Sequence, residues 1–291
     1  MTKMKKSKST ALRFSKEKMV PWLFLLPSLI LVSIFVLIPF VDVVRRSFFS
    51  SMSGQFVGLK NYVAVLQNEA FKLAAKNTVR FTLVCIPLLL ILSLILALLI
   101  DAIKEQKGIL KTSFLIPMSI PVASVVLLWK IFFHENGLLN RILAGIGAEK
   151  IDWLNSEWAF VVLIFTYIWK NVGYDMVLWL SGITSISPVL YESASLDGAN
   201  SWQLLRYVTL PMLSGAIMIN LVFGITYGLK VFDIVYVLTN GGPGHATEVL
   251  TTYAFQLYSR GQYGMSSALN SILLLITAIA GVVIVKTLGK Q

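Results

Sequence analysis

Apolar runs long enough to cross a bilayer recur six times along this chain, separated by shorter polar segments. A hydrocarbon core of about 30 Å needs roughly 20 apolar residues in a helix. The stretches of that length lie at about 21–44, 78–100, 113–133, 158–180, 213–238 and 268–288. The pattern predicts an all-α integral membrane protein with six spans in residues 21–288, behind a polar tail over residues 1–20. Pro27, Pro39, Pro87, Pro117 and Pro121 fall in or beside spans. Each frees a backbone carbonyl that a neighbouring helix or water must satisfy, so helices around a shared or wet interior are expected. The stretch "GLKNYVAVLQNEAFKLAA" spaces Leu59, Tyr62, Val63, Leu66 and Phe71 near a helical period. It predicts a short helix lying at the outer surface.

Composition supports the pattern. The chain is 56% hydrophobic and 13% charged, with mean hydropathy +0.77, against about 25% charged residues in soluble domains. The net charge of +11 is uneven, because seven of the 25 Lys and Arg residues precede residue 20. With no aromatic platform beside them, they read as a cytoplasmic tail that fixes orientation and not as a nucleic-acid arm. An even number of spans then puts both termini in the cytoplasm. Loops 101–112 and 181–212 face inward, with Lys104, Lys107, Lys111 and Arg206, as do Lys286 and Lys290 near the C-terminus. Loops 45–77, 134–157 and 239–267 face outward. The first span lacks a small-residue cleavage site and reads as a span, not a signal peptide.

Catalytic chemistry is poorly provided for. Cys85 stands alone in an apolar run and reads as a buried small hydrophobe. His134 and His245 read as solvated loop residues, since neither has a second metal ligand at useful spacing. In "TNGGPGHATEVL", Thr247 is expected to cap a helix through Tyr258. The sequence holds no Gly-Lys-Ser/Thr phosphate loop, so ATP hydrolysis by this chain is not expected, and no cofactor or metal is assigned to it. An intramembrane enzyme would need a metal or nucleophile cluster that these residues do not supply.

The segment "SPVLYESASLDGANSWQLLRYVTLP", Ser187 to Pro211, stands out between two apolar runs. Ser187 is placed to cap a helix that begins at Pro188 and runs through Glu192 to Asp197. Gly198 supplies the left-handed residue that ends it. Ser201 is placed to cap a second short helix, "WQLLRYV", before Pro211. Tyr191, Ala194, Leu196 and Leu205 form an apolar face, with Glu192 and Asp197 directed elsewhere. Two readings stand: an elbow packed back on its own bundle, or a handle that seeks a partner surface.

The same residues carry a resemblance. "ESASLDGANSWQLLRYVTLP" is similar to the EAA motif of bacterial ABC importer permeases, through Glu192, Ala194, Asp197, Gly198, Ala199, Leu210 and Pro211. Ser193 replaces the middle alanine, and Leu205 stands where an aromatic is common. "PWLFLLPSLILVSIFVLIP", "FVGLKNY", "IWKNVGYDMVLWLSGITSI" and "VFDIVYVLTNGGPGHATEVLTTYAF" resemble the sugar-permease branch, MalF-like, over roughly residues 20 to 288. The resemblance implies the six-helix type I ABC importer transmembrane fold in a bacterial plasma membrane. It implies a second, related permease subunit, two cytoplasmic ATPase subunits that bind ATP and Mg, and an external solute-binding protein. The helix from Pro188 to Asp197 would then be the coupling helix, with Glu192 touching the ATPase and Asp197 and Gly198 shaping the turn.

Charges inside a membrane are functional hypotheses by default. Lys170 and Asp175 lie in the fourth span; Lys230 and Asp233 lie in the fifth, three apart and so expected on one helical face. They read either as snorkelling lysines with a local counter-ion or as solute contacts. Asn171 and Tyr174 in the fourth span share one face, as do Gly224, Tyr227, Gly228 and Val231 in the fifth. The resemblance matches them, with Val122, to positions that line the solute site of the maltose-type permease. Helix packing through small residues is the competing reading for the glycines. The solute expected is a neutral or weakly charged oligosaccharide or glycoside, and the two lysines leave an anionic sugar open. A stand-alone secondary transporter or channel is the alternative; it predicts internal repeats, which are not evident, and leaves the structured inner loop unexplained.

Overall fold

A computed structural model describes residues 16–103 and 107–289. Residues 1–15 of the basic tail, and Lys104 and Lys290, lie outside the described residues. Among those described there is no β-strand, only an isolated antiparallel bridge between Phe49 and Phe56.

The first span is α1 (Lys16–Val32), a π-helical turn (Ser33–Leu37) and α2 (Ile38–Arg46) in one run. None of its apolar window is buried against the rest of the chain; its α2 end packs on the last helix. The outer stretch expected to lie as one surface helix divides in two. Asn68, extended at φ −74° and ψ 130°, ends α3 (Lys60–Gln67) and caps α4 (Glu69–Ala102) by accepting the Ala70 amide at 2.9 Å. The second span therefore starts at Glu69, ahead of the expected 78. At 1.5 Å per residue α4 is about 51 Å long, and it overshoots the bilayer at the end where α3 packs.

The expected third span is broken. Pro121 donates no amide, and the residue before a proline is pushed out of the helical region. Helix α5 (Lys107–Ser119) accordingly stops, and α6 (Val122–Phe132) restarts at 93° to it. A short helix, α7 (Leu138–Gly145), follows. The fourth span, α8 (Trp158–Thr184), is continuous and makes its broadest packing along α4. Phe81 meets Tyr167 edge-on at 5.2 Å, and Trp179 Nε1 donates to Ser93 Oγ at 3.0 Å. Gly173 lets α8 cross α5, since a Cβ there would fall 1.8 Å from the Phe114 carbonyl oxygen.

Next come α9 (Pro188–Leu196), α10 (Ser201–Gln203), a π-helical turn (Leu204–Thr209) and α11 (Leu210–Met212). A bend of 68° leads into α12 (Ser214–Leu229). The expected fifth span is also interrupted, for α12 ends at Leu229 and α13 (Asp233–Leu238) begins after a three-residue break. The chain closes with α14 (Leu250–Ser259) and α15 (Tyr263–Leu288), whose start at Tyr263 precedes the expected 268. Counting each bent pair as one span gives up to six crossings. The chain alternates between an end that carries the Ser187–Pro211 elbow and a distal end.

Candidate functional site

The elbow is two helix caps set back to back. Pro188 opens α9 at a position that needs no donor. Ser187 has the extended backbone of a cap, but its side chain accepts no amide. The expected hydroxyl cap is thus replaced by proline's fixed φ. At the far end Asp197 is the cap residue and Gly198 sits at φ +79°. The Ala199 amide reaches the Ala194 carbonyl at 3.0 Å, and the Gly198 amide reaches that of Ser195 at 3.0 Å. This is the Schellman pattern, and it uses the small residues of the motif where the chain doubles back.

Asn200, not Ser201, caps the next helix. Its Oδ1 accepts the Gln203 amide at 2.9 Å, and Gln203 Oε1 accepts the Asn200 amide at 2.8 Å. The hydroxyl of Tyr191 in α9 then bonds Thr209 Oγ1 at 3.1 Å, tying the elbow to the root of α12. Tyr191 packs on a core cluster that includes Ile100, Trp179 and Leu213.

The outer surface of the elbow differs from expectation in one residue. Tyr191, Ala194 and Leu205 are partly covered, but Leu196 is 90% exposed, on the open side with Glu192. Trp202 and Tyr207 are 68% and 74% exposed there. A dimple of about 220 Å³ is lined by Ala194, Asp197, Gly198, Ala199, Gln203, Tyr207 and Val208. Sequence reading passed over Trp202 and Tyr207, although a tryptophan and a tyrosine five apart in a polar loop were the available signal.

Inside the membrane region, α8 and α12 carry an aromatic row. Tyr174 meets Phe223 edge-on at 6.3 Å, and Phe223 stacks on Tyr227 at 6.0 Å and 16°. Tyr227 is 57% exposed and Phe223 37%. Phe223 had not been singled out from sequence; its spacing four before Tyr227 was the signal. Asn171, one turn from Tyr174, donates its side-chain amide to the Tyr167 carbonyl at 2.8 Å and keeps its own carbonyl available. Val122 is half-buried at the start of α6.

The other matched positions turn inward. Gly224 and Gly228 are buried against Ile86, where an added Cβ would lie 2.8 and 3.1 Å from its methyl groups. Val231 is 4% exposed and belongs to the core. Packing accounts for these three.

The intramembrane charges do not form the expected pairs. Lys170 turns from Asp175 to the α5–α6 break, where Nζ donates to the carbonyls of Ile120 at 2.8 Å, Met118 at 3.4 Å and Pro117 at 3.5 Å. It serves carbonyls orphaned by the break. Asp175 is 4% exposed in α8. Lys230 and Asp233 do not share a helical face, because the break between α12 and α13 separates them, and no ion pair joins them among the described residues. Lys230 stands at the C-terminal end of α12. Asp233 opens α13 and accepts the Ile234 amide at 2.9 Å. Each charged residue stands at a helix terminus whose dipole end is of opposite sign.

At the distal end, His245 (φ +65°) places Nδ1 2.5 Å from Glu248 Oε2, and Glu248 is buried. Asn77 Nδ2 donates to both the His245 and Glu248 carbonyls at 3.0 Å. Thr247 does not cap the following helix; it is buried, bonded to Thr239 and to the Gly242 carbonyl. Val249 is the residue that precedes α14, and Thr252 Oγ1 accepts its amide. His134 is exposed, with Nδ1 accepting the Asn136 amide at 3.2 Å.

The chain matches the family model described as binding-protein-dependent transport system inner membrane component over residues 77–289. It is 32% identical over 281 residues to the trehalose/maltose transport system permease protein MalF of Thermococcus litoralis, covering 94% of this chain and 95% of that one. It is 35% identical over 247 residues to the sulfoquinovosyl glycerol transport system permease protein SmoG of Agrobacterium fabrum, covering 82% and 80%. A chain in the crystal structure of a bacterial alginate ABC transporter, in complex with alginate pentasaccharide-bound periplasmic protein, superposes with a TM-score of 0.83. That match has 27% identity and covers 92% of this chain and 93% of the other.

Proposed function

This chain belongs to the family of inner membrane components of binding-protein-dependent transport systems and has the type I ABC importer permease fold, and we propose that it conducts a carbohydrate, an oligosaccharide or glycoside, into the cell. The observation that carries this reading is the elbow. It is a short helix fixed at both ends by caps, tied to α12 through Tyr191 and Thr209, and presenting Glu192, Leu196, Trp202 and Tyr207 outward. An ATPase subunit takes that face, with ATP and Mg held in the partner. The elbow end is then cytoplasmic, as are both chain termini, and the distal end receives solute from an external binding protein.

The geometry supports a lever. The elbow joins α8 to α12, and these two helices carry the row Tyr174–Phe223–Tyr227. Displacement of α9 by closure of the ATPase pair tilts both helices and alters the row. Rigid halves rocking about a central site are the general means of alternating access. The exposure of Tyr227 and Phe223 in the single chain calls for a second, related permease as the opposing wall. Ring faces beside an amide carbonyl suit the mixed surface of a sugar. With Lys170 bound to backbone carbonyls, the row favours an uncharged solute. Relatives named for trehalose/maltose, uncharged sugars, and for sulfoquinovosyl glycerol, a sulfonated glycoside, support the carbohydrate class and leave the solute's charge to the sugar panel.

The test is uptake by ATP-loaded membrane vesicles that contain the assembled importer, with a panel of labelled sugars. Tyr227→Ala is expected to slow uptake of the transported sugar while ATPase assembly and the binding protein's own affinity stay unchanged. Wild-type rates for every sugar would place the pocket elsewhere, and failure of the chain to co-purify with an ATPase subunit would overturn the importer reading.

A further inference from the structure

The distal loop between α13 and α14, residues 239–249, is braced within itself. The Thr239 and Thr247 hydroxyls meet at 2.6 Å, and Thr247 Oγ1 donates to the Gly242 carbonyl at 2.7 Å. Its tip, Gly244 to Ala246, is exposed. Its base is tied to α4 by side chains. The Asn77 amide nitrogen has two hydrogens to give, and it donates to the His245 and Glu248 carbonyls at 3.0 Å each. Thr78 Oγ1 accepts the Leu250 amide at 3.0 Å. Asn77 is 5% exposed and Thr78 1%, so bulk water competes little for these bonds. One group works against the tie. Glu248 is fully buried; its Oε2 meets His245 Nδ1, but its Oε1 has no hydrogen-bond partner. Burying a carboxyl oxygen without a donor costs free energy that opening the loop to water would return. The other end of α4 supports the elbow. Helix α4 runs from Glu69 to Ala102 with Pro87 inside it, and Ile100 lies in the cluster on which Tyr191 of α9 packs. At 1.5 Å per residue, Asn77 and Ile100 are about 35 Å apart along the helix.

We propose that Asn77 is a latch, set against the buried Glu248, that fixes the distal loop to α4, so that a binding protein on the loop and an ATPase on the elbow act on one helix. Coupling between distant sites needs an element with two arrangements that both sites bias, and the opposed contributions of Asn77 and Glu248 supply one. With the latch closed, displacement of the loop is carried along α4 to the elbow. With it open, the loop moves alone and contact with the binding protein no longer reaches the ATPase. Asn77 is thus a positioning residue, acting through the loop backbone. The inference rests on the importer reading above and adds the residue that joins its two ends.

Hydrogen–deuterium exchange of the loop amides in the assembled importer tests the latch, and stimulation of ATP hydrolysis by the solute-loaded binding protein tests the transmission. N77A is expected to speed exchange over residues 244–250 about tenfold, the order set by leaving buried carbonyls unpaired. It is expected to keep ATPase co-purification and basal hydrolysis and to lose most of the stimulation. E248M, which removes the buried carboxyl group at similar volume, is expected to slow exchange and to keep the stimulation. A role in packing alone would make both variants loosen the loop. Unchanged exchange in N77A, full stimulation in N77A, or exchange in E248M no slower than wild type would each overturn the proposal. If N77A does not assemble, E248M decides by the direction of its exchange. A wild type that binds no ATPase subunit, or does not respond to the binding protein, would instead fail the importer reading, and the exchange measurements would still judge the latch.

Discussion

The elbow and the membrane-embedded faces of α8 and α12 put their polar side chains to the same use at very different range. In both, those side chains answer loose backbone ends. In the elbow, Asn200 and Gln203 satisfy each other's amides three residues apart. Inside the membrane, Lys170 satisfies carbonyls of Pro117, Met118 and Ile120, fifty or more residues away. The difference teaches where function is built in. A handle that must transmit force is held by local bonds that survive movement of its surroundings. The charges of the translocation region are held by neighbouring helices, so their environment changes when those helices move.

Glu192→Ala tests that contrast most strongly. Glu192 is exposed on α9 and makes no ion pair among the described residues, so the variant should fold and reach the membrane normally. A charged anchor at an interface is typically worth 2 kcal/mol or more, so ATPase docking should weaken by about 30-fold and most uptake should be lost. Normal uptake with normal ATPase co-purification would reduce the elbow to a packing device.

Gly173→Ala probes the membrane side. The new Cβ would meet backbone, not a flexible side chain, at the α8–α5 crossing. Overpacking of this kind costs about 1–3 kcal/mol, so thermal unfolding in detergent should fall by several degrees, and the α5–α6 break that Lys170 serves should loosen. Gly281→Ala, with nothing within 4 Å of the new atom, should leave stability unchanged or slightly raised. Equal melting of both variants would mean that the crossing adapts.

These two regions also mark what could be read from sequence. Helix existence, the stop at Gly198 and the start at Pro188 were legible because each rests on one residue's backbone preference. The choice of Ser201 over Asn200 as a cap was a near miss, for both are good caps and only the reciprocal Gln203 decides. The break at Ser119–Pro121 lay within a uniformly apolar run; a proline there allows either a kink or a stop, and packing of α5 on α8 selects the stop. The inward turn of Gly224 and Gly228 follows from Ile86 on α4, a partner more than 130 residues distant that periodicity within α12 could not reveal. Phe223 went unnoticed because an apolar residue in an apolar helix carries no local mark.

Gly198→Ala sharpens the elbow's side of the comparison with a smaller effect. Space is not the constraint, since nothing lies within 4 Å of a Cβ at this position. The constraint is φ +79°, which costs an L-residue roughly 1–2 kcal/mol. The turn between α9 and α10 should become less rigid, and uptake should fall further than the binding of ATPase subunits does. Uptake and docking that decline together would show that the turn serves affinity and not transmission.

The smallest effect concerns Lys230 and Asp233. Three apart in sequence, they suggest an intrahelical ion pair, and such a pair would show coupling in a double-mutant cycle. The chain instead breaks after Leu229 and restarts at Asp233. Asp233 spends one carboxylate oxygen on the Ile234 amide at 2.9 Å, at the N-terminal end of α13. Lys230 sits at the C-terminal end of α12, where the helix dipole favours a cation. With each charge satisfied by its own helix end, Lys230→Ala and Asp233→Ala should destabilise additively. Their coupling in detergent melts should stay below about 0.5 kcal/mol, the limit seen for independent sites. A larger coupling would mean that the two side chains meet across the break, and that the α12–α13 junction is stiffened by an ion pair where it is now read as two separate helix ends.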